Sequence, residues 1–121
     1  MALGSGAFEG AYDFKTRFEG SGAANPEELI AAAHAGCFSM QLSANLEQAG
    51  HPVESVRTEA KVSLRMGDEG PYIAGIVLST RGRVPGVDEA AFREAAEDAK
   101  DNCIVSRALD VPMDLDATLE S

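Results

Sequence analysis

The chain has 121 residues, 45% of them hydrophobic and 25% charged, and its 20 acidic against 10 basic side chains give a net charge of −10. That length suits one domain with its own core. The charge argues against nucleic acid, whose phosphates require Lys and Arg, and against an anionic membrane surface. No apolar run approaches the length of a membrane span. The start, Met1-Ala2-Leu3-Gly4-Ser5-Gly6, has no basic region followed by an apolar stretch, so no signal peptide is expected. A cytoplasmic chain is therefore predicted, and in that compartment a structural disulfide is not.

Residues 12–18 alternate, with Tyr12, Phe14, Thr16 and Phe18 on one face and Asp13, Lys15 and Arg17 on the other. Period two with aromatics predicts a half-buried strand. Gly20 and Gly22 mark a loop. A helix then starts at Asn25 as N-cap, with Pro26 at the first helical position and Glu27 and Glu28 in the first turn. Leu29 to Leu46 carries no charge if His34 is neutral, which predicts a helix buried on nearly all faces. Gly50 suits the position after its end.

Val53 to Met66 and Tyr72 to Val84 are rich in β-branched residues and flank the turn sequence Gly67-Asp68-Glu69-Gly70-Pro71, predicting an antiparallel hairpin. In the first of them Ala60, Val62, Leu64 and Met66 alternate with Lys61, Ser63 and Arg65. Asp88 caps a second helix, whose apolar face carries Phe92, Ala96, Ala99 and Cys103. Asp114 to Leu119 reads as a short closing strand. Strand, buried helix, hairpin, helix and strand make an α+β domain.

The two cysteines, Cys37 and Cys103, are the chemical candidates. With His34 and His51 they show no metal-ligand spacing. Each is readable as a small buried hydrophobe or as half of a reactive pair, in which one thiolate attacks and the other resolves the product as a disulfide. A reactive thiolate needs a positive environment. Cys37 lies about three turns inside its helix, too deep for the N-terminal dipole to supply it. Arg17 is the candidate cation, and otherwise a solvated strand residue. Glu27 either holds that arginine or serves the helix dipole. Ten residues of helix rise about 15 Å, so Glu27 cannot touch Cys37 along one straight helix. Both share a site only if the helix breaks or two copies pack together. His34, one turn before Cys37, reads as a buried, hydrogen-bonded histidine.

Arg17 within Tyr12 to Gly20, the run Asn25-Pro26-Glu27-Glu28-Leu29-Ile30-Ala31-Ala32-Ala33-His34-Ala35-Gly36-Cys37-Phe38-Ser39-Met40, and Asn102-Cys103 followed by Val105-Ser106 and Ala108-Leu109 stand in this order over nearly the whole chain. Together they resemble the OsmC/Ohr family of peroxide reductases, and Glu28-Leu29-Ile30 with His34 is more similar to the OsmC branch. The resemblance implies an antiparallel sheet with a long buried central helix and a second helix, in an intertwined homodimer with active sites at the interface. It implies Cys37 as the peroxidatic cysteine and Cys103 as the resolving one, with Arg17 orienting the peroxide and Glu27 fixing Arg17. The implied substrates are organic hydroperoxides, with hydrogen peroxide left open, in defence against oxidative and osmotic stress. No metal, haem or flavin is implied, and the reductant is an external dithiol such as a lipoyl group or dithiothreitol. Apolar Phe18, Phe38 and Met40 suggest a preference for organic peroxides.

Two features depart from the family pattern. Its members carry an N-terminal hairpin ahead of the segment that starts here at Leu3, so a single domain over 1–121 without that hairpin is expected. The residue after the second cysteine is commonly proline and is Ile104 here. Proline donates no backbone hydrogen bond, so Ile104 would alter the local bend and the ease with which Cys103 swings toward Cys37. These departures keep open a non-catalytic relative that senses redox state or binds a small ligand. A protein with no thiol chemistry would tolerate serine at both cysteines.

Overall fold

The structure, a computed structural model, describes residues 1–11 and 23–120. Among these residues six elements follow one another: helix α1 (Pro26–Gln48), strands β1 (Ser55–Gly67) and β2 (Gly70–Arg83), helices α2 (Glu89–Asn102) and α3 (Ile104–Ala108), and strand β3 (Met113–Glu120). The strand read at 12–18, and Arg17 with it, lies outside the described residues.

Helix α1 begins as its sequence predicts. Asn25 is extended, and its side chain accepts the Glu28 N–H at 2.8 Å, with Pro26 in the first turn. At the far end Gly50 adopts φ +88. The N–H groups of Gly50 and His51 then reach back to the carbonyls of Glu47 and Leu46, at 3.0 and 2.8 Å. This double closure satisfies the last carbonyls and needs a residue free to take a left-handed conformation.

The expected hairpin is present, with Gly67 paired to Gly70 across its tip. Along β1 the half-buried Val56, Thr58, Ala60, Val62 and Leu64 alternate with exposed Arg57, Glu59, Lys61, Ser63 and Arg65. The register shifts between Ser63 and Leu64, leaving Ala74 as an extra residue in β2. Beyond that bulge Met66 is exposed rather than buried. Pro71 is tolerated in β2 because β3 pairs only with Ile76 to Arg83, so nothing requires an N–H at Pro71 on that edge.

The sheet differs from the expected antiparallel one. Its order is β1-β2-β3, and β3 runs parallel to β2. Helices α2 and α3 carry the chain back across the sheet, and a crossover of this kind delivers a parallel neighbour. Both long helices cover one face of the sheet. The core joins Phe38, Leu42 and Leu46 of α1 to Leu78 of β2, Val84, Phe92, Ala96 and Ala99 of α2, and Ala117 of β3.

Among the described residues, burial of α1 on nearly all faces is not found. Ala31, His34, Phe38, Leu42 and Leu46 form a single buried stripe at three- and four-residue spacing. The opposite side, with Ala32, Ala33, Gly36 and Met40, is exposed, Met40 by 76%. Among the described residues, the sheet and α2 reach one side of this helix.

Helix α2 starts at Asp88, whose carboxylate accepts the Ala91 N–H at 2.7 Å, and buries Phe92, Ala96 and Ala99 as expected. It ends sooner than the apolar spacing suggested. Cys103 is extended (φ −64, ψ 148) and stands between α2 and α3. The Asn102 side chain bonds back to the Asp98 carbonyl at 3.0 Å, and the Cys103 sulfur accepts the Ser106 N–H at 3.4 Å. The first helix is thus closed and the next one opened at one residue.

Ile104 occupies the first position of α3 and is 75% exposed. Proline fits this position, because the N–H there has no helical partner and the preceding residue is already extended. Ile104→Pro is therefore expected to stabilise the chain by about 0.4–1 kcal/mol through the unfolded state. A urea midpoint at fixed protein concentration checks it; a lower midpoint would contradict this geometry.

Candidate active site

Cys37 lies midway along α1 on the border between its buried stripe and its uncovered side, and is half-buried. It opens into a groove of about 530 Å³ lined by Ala32, Ala33, Gly36, Met40, Gln41, Ala44 and Ile104. Alanine and glycine leave the thiol accessible, and no charged residue lines the groove among the described residues. Phe38, expected beside the thiol, instead points into the core and is fully buried. One residue on a helix turns by roughly 100°, which carries Phe38 to the sheet side. Met40 does line the groove.

Cys103 is fully buried, and both thiols are free. Its segment comes to the first cysteine from the side: α3 packs against α1, and Ile104, next to Cys103, walls the Cys37 groove. A second link is polar. His34 Nε2 lies 2.7 Å from Ser106 Oγ, which lies 3.0 Å from the Cys103 sulfur. His34 is thus the buried, hydrogen-bonded histidine that its place on α1 predicted. Burial pushes its pKa below the ordinary 6.5, which keeps the ring neutral. Ser106 was not singled out in the sequence. Its only signal was its place, three residues after Cys103, in the last conspicuous motif.

Glu27 stands in the first turn of α1, half-buried, beside a separate groove with Asn25, Glu28, Ala31, Ala60, Lys61, Val62 and Leu64. The two grooves share no residue. Because α1 is one uninterrupted helix, Glu27 and Cys37 of one chain are separated by about 15 Å of rise. Arg17 lies outside the described residues. Two of the four candidate residues, Cys37 and Cys103, therefore belong to segments in contact, and Glu27 does not join them within a single chain.

An α+β protein with one free thiol midway along its long helix and a second at the junction of two helices packed against it is the class that fold and site define. A family model described as OsmC-like protein matches residues 18–117, and the chain belongs to that family. The proteins named Peroxiredoxin OsmC from Escherichia coli K12 and from Shigella flexneri are each 47% identical to it over 110 residues, covering 91% of this chain and 77% of theirs. Among solved structures, the organic hydroperoxide resistance protein OhrB of Bacillus subtilis has a TM-score of 0.75 at 23% identity, covering 98% of this chain and 87% of that one. An organic hydroperoxide resistance protein OsmC from Legionella pneumophila has a TM-score of 0.74 at 21% identity, covering 99% and 87%. At those identities the structures speak for the fold.

Proposed function

We propose that this chain is a peroxidase that reduces organic hydroperoxides to alcohols with two cysteines. Membership of the OsmC-like family and relatives named peroxiredoxin support the peroxidase class. The observation that carries the finer reading is the placement of Cys37: a half-exposed thiol in an apolar groove, one wall of which is the neighbour of the second cysteine. In the first step the Cys37 thiolate attacks the distal oxygen of the hydroperoxide. An S–O bond forms, the O–O bond breaks, and the alkoxide leaves as the alcohol after taking a proton. The Cys37 sulfenic acid then condenses with Cys103 to a disulfide and water. An external dithiol, such as a lipoyl group, restores both thiols by exchange.

The working unit in this reading is a homodimer of single domains in the cytoplasm. The uncovered Ala32, Ala33, Gly36 and Met40 face of α1, continued by Ile104, supports a second copy packing there. Small residues permit close approach of the two helices, and the pairing gives Glu27 and Arg17 a way to meet a cysteine that Glu27 cannot reach along its own helix. Arg17 would orient the peroxide and Glu27 would hold the guanidinium.

The apolar lining predicts substrate preference. With dithiothreitol as reductant, kcat/KM for cumene hydroperoxide should exceed that for hydrogen peroxide by about tenfold or more, as burial of a large apolar group in the groove would give. A preference for hydrogen peroxide would sink the organic-substrate reading. Consumption of neither would sink the peroxidase reading.

A further inference from the structure

Three polar side chains are buried in the described core: His34, Thr80 and Ser106. Thr80 is accounted for by the Thr58 hydroxyl at 2.9 Å and the Arg57 carbonyl at 3.4 Å. The other two form a line that ends on a thiol: His34 on α1, Ser106 on α3, and the sulfur of Cys103 between α2 and α3. Nothing in the peroxide step requires them. An imidazole and a hydroxyl in an interior carry a desolvation cost that apolar side chains would avoid.

The direction of the hydrogen bonds follows from what is unpaired. His34 Nδ1 is buried without a partner among the described residues. A proton on Nδ1 would be an orphaned buried N–H donor, which is rarer than an under-used acceptor. The neutral ring therefore carries its proton on Nε2 and donates to Ser106 Oγ. With its lone pairs engaged by His34, the hydroxyl of Ser106 turns its own O–H to the Cys103 sulfur. The Ser106 backbone N–H, at 3.4 Å, aims at the same atom. The sulfur thus faces two donors fixed by one residue, and that residue is oriented by a histidine one turn from Cys37.

We propose that His34 and Ser106 are positioning residues for Cys103: the Nε2–H of His34 locks the Ser106 hydroxyl, which with the Ser106 backbone N–H holds the Cys103 sulfur and favours the thiolate that attacks the first cysteine. The inference rests on the two-cysteine reading above. In the resolving step the Cys103 sulfur forms the S–S bond and is oxidised, and the S–O bond of the Cys37 sulfenic acid breaks as its sulfur is reduced. The expelled hydroxide and the proton given up by Cys103 leave together as one water. Two donors preset around the sulfur favour the Cys103 thiolate that must form before it attacks.

The test bypasses the peroxide. Ellman's reagent converts the accessible Cys37 thiol to a mixed disulfide and releases one thionitrobenzoate. Attack by Cys103 then releases a second, and the two rates are read separately in one trace. In Ser106→Ala the ratio of the second rate to the first should fall about tenfold or more, as expected when a hydrogen bond to a charged group is lost. Ser106→Thr, which keeps the hydroxyl, should recover most of that ratio. His34→Gln, which keeps an N–H donor on α1, should fall between them. Equal or faster second release in Ser106→Ala, a Thr variant no better than Ala, or a wild type without any second release would each overturn the proposal. Circular dichroism of each variant accompanies the kinetics, and if Ser106→Ala does not fold, the His34→Gln ratio decides: an unchanged ratio overturns the proposal and a lowered one supports it. Peroxide consumption by the wild type is measured in parallel, so failure of the peroxidase reading is separately visible.

Discussion

Cys37→Ser should abolish hydroperoxide consumption in a dithiol-coupled assay, a loss of at least about a thousandfold, while Cys103→Ser should keep a first turnover and lose the sustained rate. The first expectation follows from nucleophile chemistry. A serine hydroxyl at this site is not ionised, and the described residues of the groove offer no base to take its proton. The second follows from the separation of roles. Without Cys103 a Cys37 sulfenic acid would have no internal thiol to condense with, so it should persist and be trapped by dimedone, a reagent selective for that oxidation state. The buried serine would keep the Ser106 contact and leave α2 and α3 in place, so a lost rate reports chemistry and not a collapsed corner. Retained turnover in Cys37→Ser would remove Cys37 from the peroxidatic role. A wild type that forms the disulfide slowly and without catalytic turnover would favour the redox-sensing alternative.

The parts of this fold legible in the sequence are those set by local chemistry. The start of α1 was written in Asn25, Pro26 and Glu27, its stop in Gly50, the hairpin in alternating β-branched residues around Gly67 to Pro71, and the start of α2 in Asp88. The structure uses each of these as expected. What escaped depends on partners distant in the chain. Nothing within Met113 to Glu120 says that it lies parallel to β2, because that direction is imposed by the crossover of α2 and α3. The break at Cys103 escaped because cysteine is not among the favoured helix caps, and here its sulfur takes that role with Ser106. The one-sided burial of α1 escaped because an uncharged sequence states that a surface prefers cover without stating what covers it.

The candidate site divides along the same line. Cys37 and Cys103 stood out as residue types, and their segments do pack together. Ser106 did not, since serine at the start of a short helix is ordinary until its hydroxyl is placed between an imidazole and a thiol. Glu27 was separated from Cys37 by helix rise alone, and the straight course of α1 maintains that separation.

Phe92→Ala should lower stability by about 3–5 kcal/mol, a large part of the 5–15 kcal/mol typical of a whole domain. Phe92 is almost fully buried at the start of α2, and its ring packs against Gly82 of β2. A Cβ at Gly82 would overlap that ring, so the glycine is the socket that lets α2 approach the sheet. Truncating the ring leaves a hole beside Leu78, Val84 and Ala96 that rigid strands cannot close. Filling the socket instead, with Gly82→Ala, pushes ring or strand aside and should cost about 1–3 kcal/mol. The two effects are coupled through one contact. In the Phe92→Ala background the Gly82→Ala change should cost nothing or recover stability, a double-mutant coupling of about 1 kcal/mol or more. Denaturant midpoints at one fixed protein concentration measure all four species, since association would otherwise shift them. Additive costs would mean that ring and glycine are not in the contact described. The pair also bears on chemistry: α2 carries Cys103 at its far end, so a helix that loses its anchor at Phe92 loses the placement of the second thiol, and sustained turnover should fall together with stability.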